Sequence, residues 1–201
     1  MKLADSWTNY KLIFHELTSK SSELVFEDEK VSVHTIPLDH RIYTNGFIFK
    51  EKPFERKLDI NKAKDLNIDK AYFRKLKQGD DVVNEQGNLI LNTEVTYQGH
   101  QPKSYAFCSD TAYKESIIPI ISGVDVLYHE STFLEAHANL CAKTKHSTAK
   151  QAATIALKAN VKQLILGHYS TRYGGLEGFK SEASAVFKDV LLADDGKVFD
   201  F

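Results

Sequence analysis

The chain is organised as a series of short apolar runs, each of which delivers a polar residue at its far end. "EKVSVHTIPLDH" (29–40) alternates Val31, Val33 and Thr35 with polar neighbours, the period of a half-buried strand. Asn45-Gly46 reads as a turn into a second strand, "GFIFKE", making a hairpin-like pair. "SYAFCSD" (104–110) reads as a buried strand closed by an acid, and "GVDVLYHEST" (123–132) as another closed by His129-Glu130. Residues 163–167 have the length of a buried strand and end on His168, followed by two hydroxyls and an arginine.

Helical signals lie between these runs. In "HSTAKQAATIALKAN", Ser147 or Thr148 can cap a helix whose face carries Ala152, Ile155, Ala156 and Ala159. "LEGFKSEASAVFKDV" supplies a second helix, and "VLLADDGKVFDF" reads as two short strands around a turn. "NEQGNLIL" (84–91) reads as a turn and a short strand. Segment 53–78 has helical stretches without a packed-core pattern and reads as an insertion or arm. No internal repeat or low-complexity tract is present. Alternating strands and helices predict a sheet-with-helices architecture of the α/β or α+β class.

Composition narrows the class. Hydrophobic residues make up 42% and charged residues 26% of 201, enough to bury a core. No run approaches the ~18 apolar residues of a membrane span, and the N-terminus lacks the basic start and apolar block of a secretory leader. Cys108 and Cys141 have no CxxC or zinc-ribbon spacing, which predicts buried, reduced thiols in a cytoplasmic protein. The net charge of −1 argues against a general nucleic-acid binder, but its distribution does not. Residues 50–77 hold ten Lys/Arg against five acids, a local +5 on an otherwise acidic body. Such a segment is a footprint for a polyanion, and its composition equally fits a solvated helix face.

The polar residues at the strand ends carry the chemistry. A single His or Asp closing a strand is an ordinary turn residue. Here four strands run into Asp39-His40, Asp110, His129-Glu130 and His168. If the sheet order brings those ends together, they form a cluster of imidazole and carboxylate ligands suited to zinc, iron or manganese. A two-metal site of that kind clamps the attacking and leaving oxygens of a phosphodiester displacement.

"FCSDTAY" (107–113), "VLYHESTF" (126–133), "KHSTAKQAA" (145–153) and "LILGHYSTRY" (164–173), in that order, resemble the ribonuclease Z family of tRNA 3′-processing endonucleases. "IPLDHRIYTNGFIF" (36–49) is similar to that family's segment of a ligand histidine and an aromatic-glycine strand, and "KLKQGDDVVNEQG" (75–87) to the region after its tRNA-grasping arm. The resemblance runs from about Val31 onward. It implies an α+β fold, the metallo-β-lactamase-type αββα sandwich, here the C-terminal half plus an inserted tRNA-binding arm at about 52–78. It also implies a zinc-dependent endoribonuclease with two Zn2+ per complete site, precursor tRNA as substrate, a homodimer, no membrane and a cytoplasmic location.

The roles follow residue by residue. His40 would ligate one zinc, Asp110 would bridge both and His168 would ligate the second. His146 would be a non-ligand catalytic histidine near the scissile phosphate, with Glu130 orienting it. Arg172 would meet phosphate oxygens, as would Lys70, Arg74, Lys75 and Lys77 on the arm. For Glu130 and Arg172 a paired strand-end carboxylate and a plain surface cation remain equal readings.

Two departures from the family pattern stand out. The H-x-H-x-D-H motif, which supplies most metal ligands and the acid that activates water, does not occur in the sequence. We therefore expect the chain to begin near the middle of the domain, as a fragment, a truncated product or one of two polypeptides, and not to be competent alone. The arm sequence "NIDKAYFRKLK" also has neither Gly nor Pro where the family's short form carries them. Two rival functions remain: another hydrolase of the metallo-β-lactamase fold, and a non-catalytic tRNA-binding or dimerisation fragment.

Overall fold

A computed structural model describes residues 10–201, so residues 1–9 of the N-terminal segment read above as carrying no leader lie outside it. Seven strands form the main sheet: β1 (Leu24–Glu27), β2 (Val31–Pro37), β3 (Asn45–Glu51), β8 (Ser104–Cys108), β9 (Val126–Glu130), β10 (Gln163–Gly167) and β11 (Val190–Leu192), in that spatial order. The first half of the sheet is antiparallel throughout, in the pairs β1·β2, β2·β3 and β3·β8. From β8 to β11 every pairing is parallel.

The parallel half explains where the helices go. Its crossovers carry α4 (Ile118–Ile121), then α5 (Cys141–Thr144) and α6 (Ala149–Lys158), then α7 (Glu177–Ser184). Each steps the chain in the same direction across the sheet, and right-handed crossovers repeated in one direction place all helices on one face. Thr148 caps α6 with a capping box to Gln151. The helix's buried Ala149, Ala152, Ala153 and Ala156 let it lie close on the sheet.

The register makes the two faces concrete. Ile48, Ala106, Leu127, Leu164 and Val190 are cross-strand neighbours in one row, all buried under the helices. One residue along, Phe47, Phe107, Tyr128, Ile165 and Leu191 form the matching row on the opposite face. Phe107 is 37% exposed and stacks on Tyr128, and Phe49 is 39% exposed against Tyr105. Among the described residues no second large sheet covers this face. The described residues of the main sheet form one β-layer with helices packed on one face.

Several local expectations need correction. Asn45 and Gly46 belong to β3 itself, and the reversal lies in 38–44, where the Leu38 amide donates to the Thr44 carbonyl (3.1 Å). Gly46 is required there because a Cβ would strike the Phe107 carbonyl of the next strand. "SYAFC" is buried on one face only. The tail forms one strand, β11, and the chain then turns through Gly196 (φ 78°) and ends with Phe201 against Tyr105.

The charged segment differs most from expectation. It is part of a small folded lobe, closed at its base by pairing of β4 (Lys57–Leu58) with β7 (Thr96–Tyr97). Between them lie α1 (Ile60–Asp65), α2 (Phe73–Gln78), the hairpin of β5 (Val82–Val83) and β6 (Leu89–Ile90), and α3 (Asn92–Val95). Ala63, Ile68, Leu76, Val82, Ile90 and Val95 make a separate hydrophobic core. That core draws half its members from beyond residue 78, which is why the charged stretch alone showed no core pattern.

Candidate metal centre

β2 is antiparallel to β3, which is antiparallel to β8, so β2 runs parallel to β8, β9 and β10. The carboxyl ends of all four strands therefore lie at one end of the sheet, where α/β proteins build sites. Asp39-His40 follow β2, Asp110 follows β8, Glu130 closes β9 and His168 follows β10. His146 arrives from the segment between α5 and α6.

Asp110, His146 and His168 each offer a ligand atom, and these atoms lie within 4.8 Å of one another. Asp110 Oδ1 is 3.0 Å from His168 Nε2. The His40 and His168 rings flank His146, each with its centroid 5.2 Å away. The tightest grouping thus contains His146, expected as a catalytic histidine, with His40 as the adjoining imidazole. Asp110 (φ 58°), His168 (φ 59°) and Lys145 (φ 61°), the residue before His146, all have left-handed backbones. Such conformations are uncommon outside glycine and gather at sites that the surrounding structure holds in place.

Glu130 is the anchor. Its side chain is fully buried, and each oxygen accepts two hydrogen bonds. Oε1 accepts from the Thr111 amide (3.0 Å) and His146 Nδ1 (2.8 Å). Oε2 accepts from the Thr132 amide (3.0 Å) and Thr132 Oγ1 (2.7 Å). Burial pushes the carboxyl pKa up, but the His146 and Thr132 hydrogen bonds outweigh it and leave it below the ordinary carboxylate value. The Glu130 hydrogen bond in turn raises the His146 pKa above the usual imidazole value, against partial burial.

Strand alternation separates the two residues of the "HE" pair. Glu130 turns to the site, whereas His129 points under the helices beside Cys108. Burial lowers the His129 pKa and keeps the ring neutral; its Nδ1–H donates to the Glu130 carbonyl (2.7 Å) and its Nε2 has no partner. The two cysteines are buried and free, and burial pushes Cys108 to about 12 and Cys141 to about 11, so both are protonated thiols at neutral pH.

The remaining expected residues are more exposed. Arg172 stacks over the Phe133 ring (5.6 Å), and Phe133 meets His146 edge-on (6.4 Å), so the guanidinium stands one ring away from the cluster. Lys70, Arg74 and Lys75 are exposed and Lys77 half-buried on the inserted lobe. Thr132 was not anticipated. Its hydroxyl donates to Glu130 and lies 2.9 Å from His168 Nδ1, joining β9 to the His168 loop. A hydroxyl two residues after the strand-end acid, in "HEST", was the available signal.

No protein-family model matches the chain. Curated relatives do: the ribonuclease Z of Cytophaga hutchinsonii is 44% identical over 201 residues, covering 99% of this chain and 64% of that protein. The ribonuclease Z of Parabacteroides distasonis is 43% identical over 187 residues, covering 93% of this chain and 62% of that protein. The chain is a ribonuclease Z homologue. It spans a little under two thirds of the length of those relatives. Among solved structures, the metallo-β-lactamase fold protein YhfI of Bacillus subtilis aligns with TM-score 0.57 at 15% identity, over 88% of this chain and 52% of that one. The short form of human tRNase Z aligns with TM-score 0.53 at 21% identity, over 90% and 47% of the two chains. The fold is that of the metallo-β-lactamases.

The donor set of this homologue fits a divalent metal. Thr132 Oγ1 has one proton and gives it to Glu130, so it accepts from His168 Nδ1–H. His146 Nδ1–H is committed to Glu130, and His40 Nδ1–H to the Lys145 carbonyl (3.0 Å). Nδ1 of each imidazole is thereby engaged, which leaves Nε2 as the atom able to coordinate a metal or, in a protonated ring, to donate a proton. Asp110 adds a carboxylate able to bridge.

Proposed function

We propose that the chain contributes Asp110, His168 and His40 to the zinc centre of a ribonuclease Z that removes the 3′ trailer of precursor tRNA, with the remaining ligands supplied by sequence the described residues do not contain. The observation that carries this reading is the convergence at one end of the sheet of His40, Asp110, Glu130, His146 and His168, from motifs in ribonuclease Z order. Zinc, when bound, supplies Lewis-acid polarisation of the phosphodiester and of water. The chain's own residues orient and move protons. Glu130 accepts from His146 Nδ1–H and favours the imidazolium, whose Nε2–H is the proton given to the departing oxygen, leaving the neutral ring still bonded to Glu130. Arg172, one ring away from the cluster, is assigned to a phosphate oxygen, and Lys70, Arg74, Lys75 and Lys77 on the lobe to the tRNA backbone.

A second reading of His146, as a metal ligand, is favoured by its membership of the 4.8 Å cluster. The test of the function is trailer cleavage on precursor tRNA, by the chain alone and by the chain fused to the remaining part of the Cytophaga hutchinsonii ribonuclease Z. We expect substoichiometric zinc and little cleavage from the chain alone, and two zincs with cleavage at the tRNA 3′ end from the fusion. A fusion that binds two zincs yet leaves the trailer on sinks the tRNA reading. The homodimer and the cytoplasmic location rest on the same similarity, and sedimentation and cell fractionation test them; no helix among the described residues is long and apolar enough to cross a membrane.

A further inference from the structure

The loop that carries Arg172 is tied to its neighbour on both sides of the arginine, and one of the ties is a side chain. Beyond β9, residues 131–134 run beside the loop that follows β10. Main-chain bonds join the two at first. The Ser131 amide donates to the Gly167 carbonyl (2.8 Å) and the Ser170 amide to the Thr132 carbonyl (3.1 Å). At the next step a phenol takes the place of a carbonyl: the Leu134 amide donates to Tyr173 Oη (3.0 Å).

That oxygen also lies 2.8 Å from His137 Nδ1. Having accepted from Leu134, the hydroxyl still has its own proton to give to the nitrogen. A turn brings the imidazole there, the His137 amide donating to the Leu134 carbonyl (2.8 Å). Tyr173 is held at its ring as well, edge-on against the fully buried Phe179 with centroids 4.9 Å apart.

Arg172 lies between the two ties, and Phe133 lies between their partners Thr132 and Leu134. Phe133 is buried and pinned from its other side. Its amide donates to the Ser147 carbonyl (3.2 Å), and its carbonyl accepts from the Ala149 amide (2.9 Å). The exposed guanidinium therefore stacks, at 5.6 Å, on a ring whose backbone is fixed. Among the described residues no carboxylate pairs with Arg172. Ordering a long side chain costs entropy, and a stack formed beforehand removes that cost from the binding step.

We infer that Tyr173 and His137 are positioning residues: the hydroxyl shared by Leu134 and His137 closes the loop and holds the Arg172 guanidinium on Phe133, one ring from His146, set for a phosphate oxygen at the metal centre. The inference rests on the phosphodiester-cleaving reading and adds to it the device that presets its cation. Tyr173 acts through Arg172 and not on the reacting atoms.

The first test needs no substrate. In the metal-free chain, a proton–carbon NMR correlation reads the Arg172 side-chain methylenes, which the ring current of Phe133 shifts upfield. We expect Phe133→Leu to return them to the position of a free arginine. Tyr173→Phe keeps the packed ring and removes only the hydroxyl, and should move them part of the way. His137→Leu spares the Leu134 bond and should move them less, in the same direction. Unchanged shifts in Tyr173→Phe, with the β10 signals native, make the hydroxyl a purely structural group and overturn the inference. If Tyr173→Phe does not fold, His137→Leu decides in the same way.

The second test is a double-mutant cycle in the zinc-loaded fusion with precursor tRNA. Arg172→Ala should lower kcat/KM by roughly 10- to 150-fold, the range of one hydrogen bond to a charged group. Tyr173→Phe should lower it less, and should add nothing in the Arg172→Ala background. Full additivity overturns the coupling. A fusion that cleaves no trailer while the NMR shifts move as expected supports the loop closure and counts against the tRNA reading, so the two failures are distinct.

Discussion

The metal centre and the inserted lobe solve opposite problems. The centre gathers five residues spread from His40 to His168, and the buried carboxylate among them, Glu130, bonds His146 directly and reaches His168 through Thr132. The lobe is one continuous stretch that packs a small core of its own and presents charge outward. In the centre the donors share partners, so energies are coupled. On the lobe the cations are separate, so effects should add. Convergence gives chemistry its precision, and contiguity gives a binding surface its independence.

The largest effects should come from breaking each region at its anchor. Glu130→Ala leaves the Thr111 and Thr132 amides and the His146 ring without their buried acceptor, and removing one partner of a buried ionic pair costs about 3–5 kcal/mol. Urea unfolding should show that loss in the global transition. Leu76→Ala, in the lobe core, should cost about 2–5 kcal/mol locally. Hydrogen exchange should then speed up over residues 57–97 and leave β8, β9 and β10 protected. If Leu76→Ala instead destabilises the whole chain, lobe and sheet form one cooperative unit and the contrast fails.

His146→Ala sharpens the comparison inside the centre. In the zinc-loaded fusion, loss of a positioned proton donor lowers turnover by about 10²–10⁴ with zinc and tRNA affinity retained. Glu130→Gln should have a milder effect in the same direction, and the double change should be less than additive, as expected of residues that act as a unit. Loss of a zinc from His146→Ala assigns the residue to the ligand set and removes the acid–base role.

What the sequence showed and what it hid follow the same division. Strand ends were legible because burial on the helix-covered face forces apolar runs, and the polar residue that stops each run is visible. Their convergence was not legible, since it depends on strand order and on two antiparallel pairings that make β2 run with β8. The lobe was legible as charge but not as a fold, because Ile90 and Val95 complete a core begun by Ala63. His129 and Glu130 stood as one pair in the sequence; the two-residue period of β9 sends them to opposite faces.

A smaller effect tests additivity on the lobe. Changing Lys70, Arg74, Lys75 and Lys77 together to Ala should weaken tRNA binding and flatten its log–log salt dependence by about one unit for each phosphate left without a cation. Cleavage of a small phosphodiester by the fusion should stay unchanged. Equal impairment on both substrates makes the lobe a support for the centre and erases the distinction between the two regions.

The smallest effect concerns pH and the His146–Glu130 hydrogen bond in metal-free protein. His146 titrates higher in the folded chain than its ordinary value of 6.5, so its contribution is complete below pH 6.5 and is lost as pH rises through the raised pKa. Glu130 titrates lower than its ordinary 4.5, so its contribution is complete above pH 4.5 and is lost as pH falls through the lowered pKa. Both contributions are complete together only between those two values. Above the window the neutral imidazole still donates Nδ1–H, so the hydrogen bond persists and only its charge-assisted part disappears. With chelator present, the difference in Tm between the chain and Glu130→Gln should therefore be widest between about pH 4.5 and 6.5 and narrow on both sides. For a chain of this size each kcal/mol moves Tm by about 2–4 °C, within reach of calorimetry. A difference independent of pH shows that Glu130 acts through its amide and hydroxyl donors alone, with no charge on His146 to hold.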